Sequence, residues 1–111
     1  MYLIYTAIRI HAMDMLAVPE EIGLTQNYPN PFNPSTTISF SLPIDENVTL
    51  NVYDITGKLV ATLVEGNLSA GYHDVSWDGR DMYGSSVSAG LYIYTLQTEG
   101  VSLNRKMMLM K

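Results

Sequence analysis

The chain contains no cysteine, so neither a disulfide framework nor a thiolate metal site can hold it together, and thiol usage says nothing about its compartment. Charge is scarce: Asp, Glu, Lys and Arg make up 15% of the 111 residues. The net charge is −5 and the pI is near 4.7. No basic field is available to attract a phosphate backbone, which argues against nucleic-acid binding. Long apolar runs are missing as well. The longest near the start, Tyr2 to Ile8, gives way to Arg9, His11 and Asp14, far short of the ~20 residues that cross a bilayer as a helix. That stretch has neither a basic leader nor an A-x-A-like cleavage site, so it makes a poor signal peptide.

Catalytic groups are thin too. Of the two histidines, His11 stands alone, and His73 adjoins Asp74 on a predicted strand, where neighbours point to opposite faces and cannot form a dyad. No serine sits in a G-x-S-x-G elbow. Nucleophilic catalysis has no support, no cofactor is implied, and the chain is expected not to be an enzyme. Asp45, Glu46, Asp78 and Asp81 offer hard oxygens to calcium, but their spacing fits no EF-hand loop and Asp78-Gly79 is an ordinary turn signal. The sequence leaves calcium at the Asp78/Asp81 loop open. Asn47-Val48-Thr49 and Asn67-Leu68-Ser69 match the glycan acceptor pattern and are read as incidental.

What is present is enough apolar residue, 47%, for one globular domain with one core. Residues 1–18 differ in texture, being rich in Met and poor in turn residues. They read as a remnant of a preceding domain or an upstream segment, as strand by the alternation of Tyr2, Ile4, Thr6, Ile8 and Ile10, or as helix by Ile8, Met15 and Leu16. Residues 19–35 read as a linker and a Pro-rich lead-in. Three prolines between Pro29 and Pro34 remove N–H donors and fix φ, so the segment should lie extended over one edge of the domain, with Tyr28 and Phe32 as anchors.

From residue 36 to 111 apolar residues alternate with period 2 between turn signals, the pattern of an antiparallel sandwich. Ile38, Phe40 and Leu42 form one inward face, and Val48, Leu50 and Val52 the next. Asp54 to Gly57 makes a turn. A strand from Lys58 to Val64 is expected to end at Glu65-Gly66-Asn67, and Gly71 to open the strand carrying Val75 and Trp77. An exposed loop then runs to Gly90, and Leu91 to Thr98, with Tyr92 and Tyr94 inward, forms a hairpin with Val101 to Met110. The expected core is Phe40, Leu50, Val52, Val75, Trp77, Tyr92 and Tyr94, centred on Trp77, the largest side chain available. Six strands, or seven if the lead-in pairs, give an all-β, immunoglobulin-like antiparallel β-sandwich.

Five blocks stand in order: N-Y-P-N-P-F-N-P-S-T-T-I-S-F-S-L-P, V-Y-D-I-T-G-K-L-V-A-T-L-V, S-A-G-Y-H-D-V-S-W-D-G-R-D, S-A-G-L-Y-I-Y-T-L and R-K-M-M-L-M-K. Together they closely resemble the type A C-terminal sorting domain of the type IX (Por) secretion system, a group allied to the FlgD-type Ig-like domain. The resemblance covers Leu24 to Lys111. It implies an address on a cargo of Bacteroidetes-like bacteria, exported to the periplasm, passed through an outer-membrane translocon to the cell surface, and cut by a sortase-like peptidase. With no cargo domain or signal peptide in the chain, that role would belong to a larger parent protein. A scaffold module like FlgD is the alternative it implies.

The end of the chain is locally basic. Arg105, Lys106 and Lys111 fall in the last seven positions, and no acidic side chain follows Glu99. The resemblance places recognition by the secretion machinery here, with Arg105, Lys106 and Lys111 as charge contacts and Met108 and Met110 as adaptable apolar ones. The domain itself is expected to be monomeric.

Overall fold

A computed structural model describes residues 19–111; the two readings of residues 1–18 lie outside the described residues. Seven strands run in order: β1 (Gly23–Leu24), β2 (Thr36–Leu42), β3 (Glu46–Asp54), β4 (Leu59–Leu68), β5 (Gly71–Trp77), β6 (Gly90–Gln97) and β7 (Ser102–Leu109). They form two antiparallel sheets, one ordered β1-β2-β5 and the other β4-β3-β6-β7. Their inward rows meet as one core. Ile38, Phe40 and Leu42 of β2 face Val48, Leu50 and Val52 of β3, with Tyr94 and Leu96 of β6 and Met107 and Leu109 of β7. This is the antiparallel immunoglobulin-like sandwich that the alternation predicts.

Six of the seven expected core residues are buried; Val75 is half-buried and packs against them. Trp77 holds the centre. Its ring lies 5.6 Å from that of Phe32 and 5.5 Å from Tyr92, tilted and edge-on, and its indole N–H donates to the Arg80 carbonyl at 2.9 Å. Both aromatic contacts avoid the face-to-face arrangement that the ring quadrupoles disfavour, and the single polar atom is satisfied.

Two expectations need correcting. Glu65-Gly66-Asn67 does not turn the chain: β4 runs on to Leu68, Gly66 opposes Val48 and Asn67 opposes Asn47. β3 begins at Glu46, so its backbone groups offer a partner along this whole length, and strand pairing overrides a local turn preference. The shorter turn at Ser69-Ala70 is fixed instead by the Asp45 carboxylate, which accepts from the Ala70 N–H at 2.7 Å. Tyr28 is not an anchor, being 80% exposed, whereas Phe32 is 1% exposed.

The lead-in bonds to both sheets. Leu24 pairs with Phe40, and Tyr28 exchanges both backbone hydrogen bonds with Thr37 at 2.9 Å. The chain then crosses over. The Phe32 N–H donates to the Met108 carbonyl at 3.0 Å, and the Phe32 carbonyl accepts from Met110 at 2.9 Å. Behind this crossover Asn27, 2% exposed, donates to the Thr36 hydroxyl at 3.0 Å, and that hydroxyl donates to the Pro29 carbonyl at 2.8 Å.

Candidate recognition surface

The candidate residues lie on β7, whose position follows from its hairpin with β6: Lys106 opposes Ile93, Arg105 opposes Tyr94 and Met108 opposes Leu91. Strand alternation divides them. Met107 and Leu109 go into the core, while Lys106, Met108 and Met110 point away from it, with Met108 36% and Met110 51% exposed. Lys111 is exposed beyond the strand.

Arg105 does not join this row. It shares the inward-facing register of Tyr94, at the open edge of the sandwich, and its Nε donates to the Leu24 carbonyl at 2.6 Å. There it lines a groove of about 690 Å³ with Leu24, Phe40, Tyr72 and Leu103. Nearby the Tyr94 hydroxyl donates to the Thr25 carbonyl at 2.6 Å, and burial pushes its pKa up from the ordinary 10.0. Arg105, itself exposed, therefore ties β7 to the lead-in, while the candidates on the outward row are Lys106, Met108 and Met110, with Lys111 beyond the strand.

The edge of β7 is capped along the same stretch. Besides Phe32, the Asn30 side chain accepts from the Met108 N–H at 3.0 Å and the Gln26 amide donates to the Lys106 carbonyl at 2.7 Å. Lys106, Met108 and Met110 thus present side chains, with the Lys106 carbonyl, both Met108 backbone groups and the Met110 N–H already paired. The side chains doing this, Gln26 and Asn30, and the Asn27 and Thr36 pair that braces the lead-in behind them, are ones the sequence alone does not single out. Each is a polar residue in or beside a Pro-rich run, which reads equally as solvated loop.

Three of the acidic candidates, Asp45, Asp78 and Asp81, serve turns, and Glu46 opens β3. Asp81 accepts from the Tyr83 and Ser85 N–H groups at 2.9 and 3.0 Å, and Asp78 lies 3.6 Å from Arg80. Among the described residues no three His, Cys, Asp or Glu side chains gather where a metal could sit. His73 stacks on Phe40 at 5.2 Å and bonds the Ser69 carbonyl at 2.8 Å, while Asp74, on the opposite face, accepts from the Ser39 hydroxyl at 2.6 Å.

Two antiparallel sheets joined in this order, with a buried tryptophan at the centre, define an immunoglobulin-like β-sandwich. The chain belongs to the FlgD Ig-like domain family, whose profile matches residues 30–101. The basal-body rod modification protein FlgD of Salmonella typhimurium is 38% identical over 55 residues, 50% of this chain and 23% of that protein. The match therefore spans about a quarter of that relative's length. The crystal structure of FlgD from P. aeruginosa aligns with a TM-score of 0.53 and 32% identity, covering 68% of this chain and 60% of that one. Two proteins of Porphyromonas gingivalis share the fold. Dimeric latent PorU gives a TM-score of 0.62 at 24% identity over 80% of this chain and 9% of its own. PorZ, described as an essential bacterial surface component of the type-IX secretion system, gives 0.54 at 18% over 83% and 12%.

Proposed function

We propose that this domain is a non-catalytic sorting and attachment module, which directs a larger exported protein across the outer membrane by the type IX route. The observation that carries the reading is the division of β7: Met107 and Leu109 hold the fold, leaving Lys106, Met108 and Met110 outward in the block that resembles the sorting signal. Support comes also from the fold shared with PorZ. The translocon reads the outward row, and a sortase-like peptidase then separates cargo from domain. Gly23 and Leu24 are held in β1, so the cut falls before them, near the exposed Glu20 and Glu21.

A second reading follows from family membership. The domain would then be an assembly module of a larger structure, as the match to FlgD suggests. One experiment separates the two. The full chain is fused behind a signal peptide and a fluorescent reporter in a type IX-competent bacterium, and compared with Lys106→Ala/Met108→Ser/Met110→Ser/Lys111→Ala. Removing residues 105–111 is unsuitable, because it takes Met107 and Leu109 out of the core. Sorting predicts reporter at the surface with the parent and about tenfold less with the variant, the effect of losing several contacts near 1 kcal/mol or less each. Equal retention of both in the periplasm leaves the assembly module.

A further inference from the structure

The solvent face of an antiparallel sandwich is ordinarily polar, and an apolar run without alternation belongs to strands covered on both sides. The outer face of the β1-β2-β5 sheet follows this, presenting Thr37, Ser39, Ser41, Asp74 and Ser76 with Tyr72. The other sheet does not. β6 contains Leu91-Tyr92-Ile93-Tyr94 and β7 Met107-Met108-Leu109. Tyr92, Tyr94, Met107 and Leu109 go inward, so alternation turns Leu91, Ile93 and Met108 out, the first two half-buried and Met108 36% exposed.

Register assembles these into a patch. Lys106 opposes Ile93, Ile93 opposes Tyr53, and Tyr53 opposes Leu59, one row across all four strands; Met108 and Leu91 stand beside it. Ile55, 71% exposed, and Met110 extend it at the same end. The adjoining row is wholly polar: Asn104, Thr95, Asn51 and Thr62. Thr62 donates to Asn51 at 2.7 Å, and Asn51 to the Tyr53 hydroxyl at 3.2 Å, which closes the patch on that side.

Charge divides the face the same way. Lys106 opposes Ile93 and Lys58 precedes Leu59 at the apolar end, with Lys111 exposed beyond β7, whereas Glu65 opposes Thr49 in the far polar part and Glu99 lies in the far turn. The acids beside Lys58 and Leu59, Asp54 and Asp81, direct their carboxylates into turns, Asp54 accepting from the Thr56 N–H and hydroxyl and the Lys58 N–H, and Asp81 from the Tyr83 and Ser85 N–H groups. Lys58 and Lys106 beside an apolar centre, on a chain of net charge −5, oppose stacking of two copies through this face and favour an occupant of the other sign. The face is a sheet surface, without the deep apolar wedge by which a surface helix enters a bilayer.

We infer that the apolar end of this face, Tyr53, Leu59, Leu91 and Ile93 with Lys106 and Met108, is the docking surface for a protein partner whose contact surface is apolar at its centre and acidic at its rim. The inference rests on the sorting reading and names the partner's chemistry: the translocon component meets half a sheet face, not one strand. Residues of three further strands then belong to the signal.

In the reporter fusion, Ile93→Thr, Leu91→Thr and Lys106→Glu each lower surface delivery by about fivefold or more, as for interface residues of about 1 kcal/mol or more. Lys106→Arg, and Thr95→Glu and Asn104→Glu in the polar row, leave it within about twofold. The purified full chains carrying Ile93→Thr and Leu91→Thr keep the parent's melting temperature within a few degrees, since both residues are compatible with a strand. Four results overturn the inference. The first is delivery of the apolar-end variants equal to the parent's. The second is a large loss of melting temperature that accounts for lost delivery, which would mean that the chain itself covers the face. The third is flotation of the purified chain with phosphatidylglycerol vesicles that Lys106→Glu abolishes, and the fourth a dimer in sedimentation that Ile93→Thr dissociates. Retention of the parent fusion in the periplasm removes the sorting reading and its partner together, whereas failure of the apolar-end prediction alone leaves sorting intact.

Discussion

Phe32 and Tyr28 sit four residues apart in a segment of the same composition, yet one fills the core beside Trp77 and the other lies in solvent. Which aromatic is buried depends on where the lead-in meets β7, a contact between residues 32 and 108 that no local pattern encodes. Phe32→Ala should cost about 3–5 kcal/mol, the range for deleting a buried aromatic, while Tyr28→Ala should cost less than about 0.5 kcal/mol. Denaturant unfolding measures both. Asp54 gives a residue-scale prediction in pH. Its carboxylate is held below the ordinary 3.8 first by the Thr56 hydroxyl and then by backbone N–H donors. A depressed pKa means the turn's contribution is complete above 3.8 and is lost as pH falls through the lower folded value. Asp54→Ala should lower the melting temperature at neutral pH and leave a shallower dependence on acid, read by thermal melts between neutrality and pH 2.

Among the elements, β2, β3 and β6 were legible because each keeps period 2 against a single core, so Phe40, Leu50, Val52 and Tyr94 identify themselves. β4 was less so. It takes register shifts opposite Leu50/Asn51 and Val52/Tyr53, which put Val60 and Ala61 both inward and break the alternation a reader would follow. The lead-in was legible as extended and edge-covering, but not as a strap between sheets, because part of its bonding runs from the Gln26 and Asn30 side chains to the backbone of Lys106 and Met108. Breaking its internal network tests that role. Asn27→Ala leaves the buried Thr36 hydroxyl without its donor and should cost about 1–3 kcal/mol, with amide exchange rising at Met108 and Met110, whose N–H groups bond to Asn30 and Phe32. Gly79 closes the same corner. With φ at +75° and an added Cβ only 3.3 Å from the Pro34 carbonyl, Gly79→Ala should destabilise by about 1–3 kcal/mol, the cost of a side chain in that backbone region.

For the whole molecule, the sandwich was readable from periodicity, and the FlgD Ig-like family from the blocks that fall within residues 30–101, but the proposed recognition surface was only partly so. The basic, Met-rich ending drew notice as a string of residues. Pairing in the sheet sorted it into Met107 and Leu109 inside, Arg105 on the lead-in, and Lys106 and Met108 outside beside Leu91 and Ile93. That sorting requires knowing β7's neighbours. A module that works by being bound should carry its address to any cargo. The direct measurement is the surface-exposed fraction of a foreign reporter fused to the intact chain, scored by protease accessibility on whole cells and set beside the reporter with its signal peptide alone. The sorting account predicts surface reporter only when the domain is attached. Equal periplasmic retention with and without it would contradict that account.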